Sequence, residues 1–440
     1  MNSNYLKIHN ESNNYIEWLV AIAVAYATVF TILESFLEMY MPLLRTISGS
    51  MRSVTILLLL CYQIKHYGLH LRMKLFVYFF LLYSFYILFY LKFFPVLKMD
   101  LLSGVPGSQS GSIIPFLYRS LQVLGYLLCA QTILNKLNPL KFLIISFWGG
   151  VVPSVSLIQF IGVDTLQFLS RDDEIGFSVL ALGYCNTYSL IISIIFFKKL
   201  TQRGVLTSFF VIINIISIIY VLLIGGERGP IIWGIVNLVI CSFFLFQKAI
   251  RIILLSSFVG FILYLNFDII IQGLSSFAPR AAEKIEMTVK EGDTNGRFDT
   301  ENEEKSAYLI GLNQFSTSPI YGSYFRLVGN NRYFLGGYPH NVFIEMLITM
   351  GVFGFIPFMI FLYKSYKKVR RVMKKGIYTE AQLCCLIIFL STFLQLQTTW
   401  SIVANAAFWL FFYIMCIYDN KIEEKTTKFK MLQRIQNFQK

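Results

Sequence analysis

One histidine of this chain stands where a polar stretch gives way to an apolar one. It is His340, within the run Gly-Gly-Tyr-Pro-His-Asn-Val-Phe-Ile-Glu of residues 336–345. Pro339 suits the first position of a helix because the N–H that proline lacks is not needed there, so the sequence predicts a helix that begins at Pro339. The free N–H groups and the positive dipole end of such a helix disfavour an imidazolium, and a neutral imidazole can accept a proton. His340 is therefore a candidate general base.

Asn341 and Glu345 follow His340 in the same predicted helix. Residues four apart share one helix face, whereas His340 and Glu345, five apart, point roughly 140° away from each other. We therefore predict substrate contacts for Asn341 and Glu345, and we do not expect Glu345 to be the direct partner of His340.

Two arginines are candidate ligands for an anionic group. Arg228 lies in Gly-Gly-Glu-Arg-Gly-Pro, where Pro230 can start the next helix. The free N–H groups of that helix and a guanidinium would suit a phosphate. The alternative is a tight turn whose arginine reaches lipid headgroups or pairs with Glu227. Arg119 lies about two turns inside an apolar run, which is costly unless the side chain meets a polar cavity, a partner or the membrane surface.

A long polar stretch supplies three further cations, Arg297, Arg326 and Arg332. Each is a candidate for substrate binding, and each alone also fits an ordinary surface arginine. The chain has no Asp-x-Asp pair for a metal-bound nucleotide sugar, no Walker-type phosphate loop and no Gly-x-Ser-x-Gly elbow. The sequence therefore predicts neither a metal nor another cofactor.

The elements that must position these residues are apolar runs of membrane-spanning length. Of the 440 residues 56% are hydrophobic and only 14% are charged, with a mean hydropathy of +0.62, whereas soluble domains carry about 25% charge. We predict an all-α polytopic membrane protein with about twelve transmembrane helices. The predicted spans are 16–38, 51–64, 75–94, 113–134, 141–162, 177–197, 205–226, 230–246, 252–274, 339–363, 380–398 and 400–418.

The distribution of basic residues predicts the orientation of these spans. With the N-terminus in the cytoplasm, 24 basic residues fall on the inner side and five in the short outer loops. His340 is then the only one of four histidines on the outer face. The net charge of +14 is explained by topology and by contact with anionic lipid headgroups, so no nucleic-acid partner is implied. All seven cysteines lie in apolar segments, which favours neither disulfides nor a metal site.

The same pattern divides the chain into four regions. Residues 1–274 form an N-terminal bundle of about nine spans, and residues 275–338 form one large periplasmic loop. A polar loop of this length is more typical of a folded cap than of a linker. Residues 339–418 supply about three C-terminal spans, and residues 419–440 form a cytoplasmic tail.

Three motifs together resemble the O-antigen polymerase and O-antigen ligase superfamily. They are Gly-Glu-Arg-Gly after an apolar span, Ser-Pro-Ile-Tyr-Gly-Ser-Tyr-Phe in the long outer loop, and Pro-His-Asn-x-Phe-Ile-Glu followed by glycine at the next span. The motifs cover about residues 205–360. The resemblance implies a GT-C-like membrane glycosyltransferase of the bacterial inner membrane, with both termini in the cytoplasm.

The resemblance also implies an activity and roles for residues. Such enzymes transfer glycans from undecaprenyl pyrophosphate to an acceptor hydroxyl at the periplasmic face, without a metal. By motif, Arg228 would contact the pyrophosphate, His340 would activate the acceptor, and Arg326 and Arg332 compete for the place of a loop arginine. We expect a polymerase of Wzy type, whose acceptor is a lipid-linked glycan and whose partners include the bilayer and a chain-length regulator. A ligase that uses lipid A core is the alternative, and a lipid-linked oligosaccharide flippase is a third.

Overall fold

Helices account for the regular structure of the part of the chain that is described. The computed structural model describes residues 42–67, 74–93, 123–128, 141–148, 179–202, 204–225, 228–246, 249–276, 278–290, 307–322, 341–373, 379–397 and 405–417, together with residue 402 and several residues between 15 and 25. Within these residues every regular element is a helix and no strand occurs, so the predicted all-α class is confirmed for them.

Thirteen helices have defined bounds among these residues. They are α1 (Pro42–Tyr67), α2 (Lys74–Phe93), α3 (Val179–Ile195), α4 (Phe197–Thr201), α5 (Val205–Gly225), α6 (Arg228–Phe246), α7 (Ala249–Leu265), α8 (Phe267–Ser275), α9 (Pro279–Lys290), α10 (Ala307–Thr317), α11 (Val342–Met373), α12 (Glu380–Gln395) and α13 (Ala406–Ile417). Residues 123–128 and 141–148 are also helical.

Helices α12 and α13 form the centre of the bundle. Helix α13 is apolar on all sides, and every residue from 407 to 416 is buried, as expected of a helix without a polar face. A capping box starts α12, because the Thr379 hydroxyl accepts from the Gln382 N–H while the Gln382 side chain accepts from the Thr379 N–H. Helices α2, α3, α6 and α11 pack around this pair.

An aromatic cluster joins α2 and α11 to α13. The Phe76 ring meets Phe361 edge-on with centroids 4.8 Å apart, Phe79 stacks on Phe361 at 4.8 Å, and Phe80 meets Trp409 at 4.5 Å. Offset and edge-to-face pairs at these separations add stabilisation beyond the area that they bury. The cluster fixes the relative positions of the three helices.

Helix α5 exposes several large apolar side chains at the surface of the bundle and buries a polar one. Val205 is 88% exposed, and Phe209 and Ile216 are also exposed, whereas Asn214 is 0% exposed. The Asn214 amide donates to two serine hydroxyls of α3, at 3.1 Å from Ser189 Oγ and 3.0 Å from Ser193 Oγ. A helix at the surface of a soluble protein has the opposite arrangement, whereas helices packed in lipid bury polar groups against one another.

Helix α3 runs antiparallel to α12, as contacts at the two ends of α12 demonstrate. Lys199, just beyond α3, pairs with Glu380 at the start of α12, and the Tyr188 hydroxyl donates to Gln395 Oε1 at its end, 3.3 Å away. Helix α13 also runs antiparallel to α12, since the Phe393 ring pairs with Phe408 and the Phe389 ring with Phe412. Near the end of α13 the Cys416 thiol donates to Ser365 O of α11 at 3.6 Å. The ends of α11 and α13 therefore lie at the same end of the bundle as the start of α12.

Several helix bounds differ from those predicted from apolar runs. Helix α1 begins nine residues before the predicted span 51–64. The predicted span 252–274 is two helices, α7 and α8, separated at Asn266, whose side-chain amide donates to Ile262 O at 2.8 Å. By length and composition, one helix in the described part, Val342–Arg371, could cross a membrane, and six other helices there contain shorter apolar stretches of 10–17 residues.

Part of the predicted outer loop, residues 275–338, is helical. Helices α9 and α10 lie within it, and α10 packs on α11 while α9 packs on α5 and α8. The Tyr308 hydroxyl at the start of α10 donates to Gln397 O at 2.9 Å, just beyond α12. These two helices are attached to the bundle.

Candidate active site

The described residues include three of the eight predicted site residues. Asn341 and Glu345 are described with their side chains, and Arg228 is described as the first residue of α6. His340, Arg119, Arg297, Arg326 and Arg332 lie outside the described residues, and their predicted roles stay predictions.

Helix α11 begins at Val342, so the predicted start at Pro339 is wrong by three residues. Asn341 is the cap: its Oδ1 accepts from the N–H groups of Phe343 at 3.0 Å and Ile344 at 3.2 Å, and its carbonyl accepts from the Glu345 N–H at 2.8 Å. Asparagine is among the best residues for this position, because its oxygen satisfies N–H groups that have no helical partner. His340 is therefore the residue immediately before the cap.

Loss of the cap should weaken the start of α11. We expect Asn341→Ala to reduce stability by about 1 kcal/mol, whereas Asn341→Asp, which keeps an acceptor oxygen, should have little effect. The apparent melting temperature of the purified protein measures both. Equal melting temperatures for Asn341→Ala and the unsubstituted protein would contradict the capping role.

The first turn of α11 is tied to the end of α12. The Val342 N–H donates to Leu396 O at 3.0 Å. Residues on either side of Leu396 hold two tyrosines from other helices, Tyr188 of α3 and Tyr308 of α10. Four helices are thus fastened together at the end of the bundle where α11 begins, which we name the site end.

Glu345, one turn into α11, has its carboxylate inside the protein. Its side chain is 0% exposed, and its two oxygens accept from the Ile402 N–H at 3.3 and 3.1 Å. The carbonyl of Ile402 in turn accepts from the Trp409 indole N–H at 2.6 Å. The acid therefore binds the protein's own backbone, in the connection between α12 and α13. Its predicted contact with a substrate stays a prediction.

Helix α11 is broken at Gly351, which the sequence analysis did not predict. Gly351 has φ +60° and ψ −168°, far from helical values. The turn formed by residues 318–322 fills the break, because Pro319 O accepts from the Val352 N–H at 2.9 Å and Ile320 O accepts from the Phe353 N–H at 3.1 Å. Two carbonyls of the Ser-Pro-Ile-Tyr-Gly motif thus cap the second half of α11.

The turn and the break fit together only with glycine at two positions. Gly322 has φ +73°, and a Cβ on it would lie 2.5 Å from Gly351 N and 2.7 Å from Ile348 O. A Cβ on Gly351 would lie 2.5 Å from Gly322 N and would clash with Ile320 O. The backbones of the two segments are therefore in direct contact, and no larger residue fits either position without a shift.

The turn is closed on itself and held by α2. The Gly322 N–H donates to Ser318 O at 2.8 Å, and the Ser318 hydroxyl donates to Gly322 O at 2.7 Å. The Tyr86 hydroxyl of α2 donates to Tyr321 O at 2.6 Å. The turn is therefore fixed against α2 and against the break in α11.

Helix α6, which carries Arg228, also begins at the site end. It starts at Arg228 itself, two residues before the predicted start at Pro230. Ile231 in its first turn belongs to a buried apolar cluster with Leu190 of α3 and Leu222 of α5. Leu190 is two residues from Tyr188, which bonds to Gln395. Helix α3 therefore connects the start of α6 to the start of α11.

The residues that hold the segments of the predicted site together were not predicted from the sequence. Tyr86, Tyr188 and Trp409 were not predicted, because a buried aromatic side chain in an apolar run gives no signal of its hydrogen bond. Gly322 and Gly351 belong to motifs that the sequence analysis named, but their spacing gave no indication that they meet.

In comparisons with other proteins, no protein-family model matches this chain and no curated protein matches it significantly.

Proposed function

We propose that this chain is a membrane glycosyltransferase with about twelve spans that polymerises lipid-linked glycan repeat units at the outer face of a bacterial inner membrane. The observation that supports the proposal is the contact between two of the three segments that resemble the O-antigen polymerase superfamily, with the third starting at the same end of the bundle as α11. The turn at 318–322 fills the break in α11, and α11 and α6 begin at the same end.

Two features of the helices support the membrane part of the proposal. The outward faces of α5, α6 and α7 carry large exposed apolar side chains, among them Phe209, Ile235 and Phe258. An apolar surface that extends over three helices is far larger than soluble monomers leave exposed. The basic residues of α4 and of the end of α11, including Lys199 and Arg370, are exposed at the opposite end from the site, as expected of a cytoplasmic face.

The proposed mechanism depends on the negative charge of the pyrophosphate leaving group. In the proposed reaction the acceptor hydroxyl oxygen attacks the anomeric carbon, the bond from that carbon to the pyrophosphate oxygen breaks, and undecaprenyl pyrophosphate leaves with the bonding electrons. His340 takes the proton of the hydroxyl. Arg228 binds the pyrophosphate, whose charge grows on departure, so a fixed cation stabilises the transition state more than the ground state. Direct displacement inverts the anomeric centre.

A strain that lacks this protein tests the proposal and separates it from the ligase alternative. We expect single repeat units on lipid A core, which is the profile of a lost polymerase. Unattached polymer would instead indicate a ligase. A glycan profile identical to that of the parent strain would contradict both.

Arg228 allows a direct test of the leaving-group contact. We expect Arg228→Ala to lower the transfer rate by about 100-fold, because one fixed cation at the developing charge is lost, and Arg228→Lys to recover part of it. Arg280→Ala, at the start of α9, is the matched control for the loss of one positive charge. The rate of polymer formation by membranes with equal amounts of each variant measures the effect. Equal losses in both alanine variants would contradict the contact.

A further inference from the structure

Glu345 is a buried acid whose carboxylate holds a backbone N–H, and the same peptide group is held from its other side. The Ile402 N–H donates to the Glu345 carboxylate, and the Ile402 carbonyl accepts from the Trp409 indole. We propose that Glu345 is a positioning residue that, with Trp409, locks the α12–α13 connection onto the first turn of α11 and so fixes His340. The proposal rests on the proposed function for the role of His340.

The burial of Glu345 argues for this role. Both Glu345 and Trp409 are 0% exposed. Burial of a carboxyl group costs free energy unless hydrogen bonds compensate for lost hydration, and both oxygens of Glu345 face one N–H. Tyr83 of α2 lies near enough to interact electrostatically with Glu345. The carboxyl group is therefore enclosed by protein.

The contacts of the first turn of α11 link Glu345 to Asn341, the residue that follows His340. The Glu345 N–H makes the first helical bond of α11, to Asn341 O, and its side chain reaches Ile402. The Val342 N–H is bound to Leu396 O on the other side of the same turn. Asn341 is therefore held by its hydrogen bond to Glu345 and by Val342, the next residue in the chain. His340 is bonded covalently to Asn341. Loss of the contact between the Glu345 carboxylate and the Ile402 N–H removes one of the two contacts that hold the first turn of α11.

Substitutions that keep or remove the acceptor oxygen test the proposal. Glu345→Gln keeps an oxygen for the Ile402 N–H and should retain the kcat of the unsubstituted protein within about threefold. Glu345→Ala removes the acceptor, and misplacement of a catalytic group by about 1 Å can lower the rate on the order of 100-fold, so we expect that loss in kcat with little change in KM. If Glu345 bound substrate by its charge or transferred a proton, Glu345→Gln would be as inactive as Glu345→Ala, and that result would overturn the proposal.

Thr349→Val is the matched control. Thr349 is buried one turn further along α11, and its hydroxyl donates to the Glu345 carbonyl at 2.6 Å and not to the α12–α13 connection. We expect this variant to keep the activity of the unsubstituted protein. If Glu345→Ala does not yield a folded protein, Glu345→Gln decides: high activity supports the proposal, and a folded but inactive protein overturns it.

Hydrogen exchange gives a second readout that does not depend on the reaction. In the purified full chain, Glu345→Ala and Trp409→Phe should each speed exchange of the Ile402 amide and of residues 341–345, whereas Glu345→Gln and Thr349→Val should not. Unchanged exchange in Glu345→Ala would overturn the locking role. If exchange behaves as expected and His340→Ala is fully active, the proposed function fails and the locking contact stands.

Discussion

Replacement of His340 by alanine is expected to lower glycan polymerisation on the order of 1000-fold, the usual contribution of a positioned general base. His340 is the only histidine that the charge pattern places on the outer face, and it directly precedes the cap of α11. The measurement is the glycan ladder formed when each variant is expressed, at equal protein level, in a strain that lacks the chain.

Three other histidines supply the controls for this experiment. His9→Ala, His66→Ala and His70→Ala change residues predicted to face the cytoplasm, so the ladder should be unchanged. A full ladder with His340→Ala would rule out the general base and favour transport of lipid-linked glycans over their transfer.

Gly351→Ala is expected to disrupt the break in α11. The new methyl group would clash with Ile320 O and approach Gly322 N, and the backbone would have to keep φ +60°. Overpacking, together with a positive-φ conformation that essentially only glycine adopts, should cost roughly 3 kcal/mol. We therefore expect a large fall in the apparent melting temperature of the purified protein and loss of polymer formation. The second effect is expected because the turn at 318–322 and the start of α11 would no longer keep their relative positions.

Two other glycines make the result specific. Gly260 and Gly273 lie in α7 and α8, and a Cβ at either would meet nothing within 4 Å. Gly260→Ala and Gly273→Ala should leave stability unchanged or slightly increased, since alanine favours a helix by about 1 kcal/mol. Gly322→Ala should resemble Gly351→Ala, and the double variant should be little worse than either, because both break one contact. Additive losses would contradict a shared contact.

The start of α11 could be predicted approximately from the sequence. The residue types Pro-His-Asn before an apolar run correctly indicated a helix entrance, but two capping rules competed there. Proline at the first position favoured Pro339, whereas asparagine as the cap favours Val342, and the hydrogen bonds of Asn341 decided for the second. The carbonyl of Asn341 accepts from the Glu345 N–H, and the two side chains have different partners, so the predicted shared substrate face stays a prediction.

The break at Gly351 could not be predicted from the sequence, for a physical reason. Glycine is common in apolar helices, so Thr-Met-Gly-Val-Phe-Gly reads as a continuous span, and the break exists only because carbonyls of a turn about 30 residues earlier replace the helical acceptors. The contact of Glu345 with Ile402 could not be predicted either, since the two residues are 57 apart in sequence. Helix face and spacing predict which residues are neighbours within a helix, not which backbone group a buried acid meets across the bundle.

The central claim is that this chain itself joins lipid-linked glycans, without a metal. The most direct measurement incubates the purified full chain, in detergent with EDTA, with a synthetic undecaprenyl-pyrophosphate-linked oligosaccharide. We expect lipid-linked products of two or more repeat units, release of undecaprenyl pyrophosphate and inversion at the new linkage. Recovery of unchanged oligosaccharide by protein that remains folded, with and without added Mg²⁺, would contradict the account.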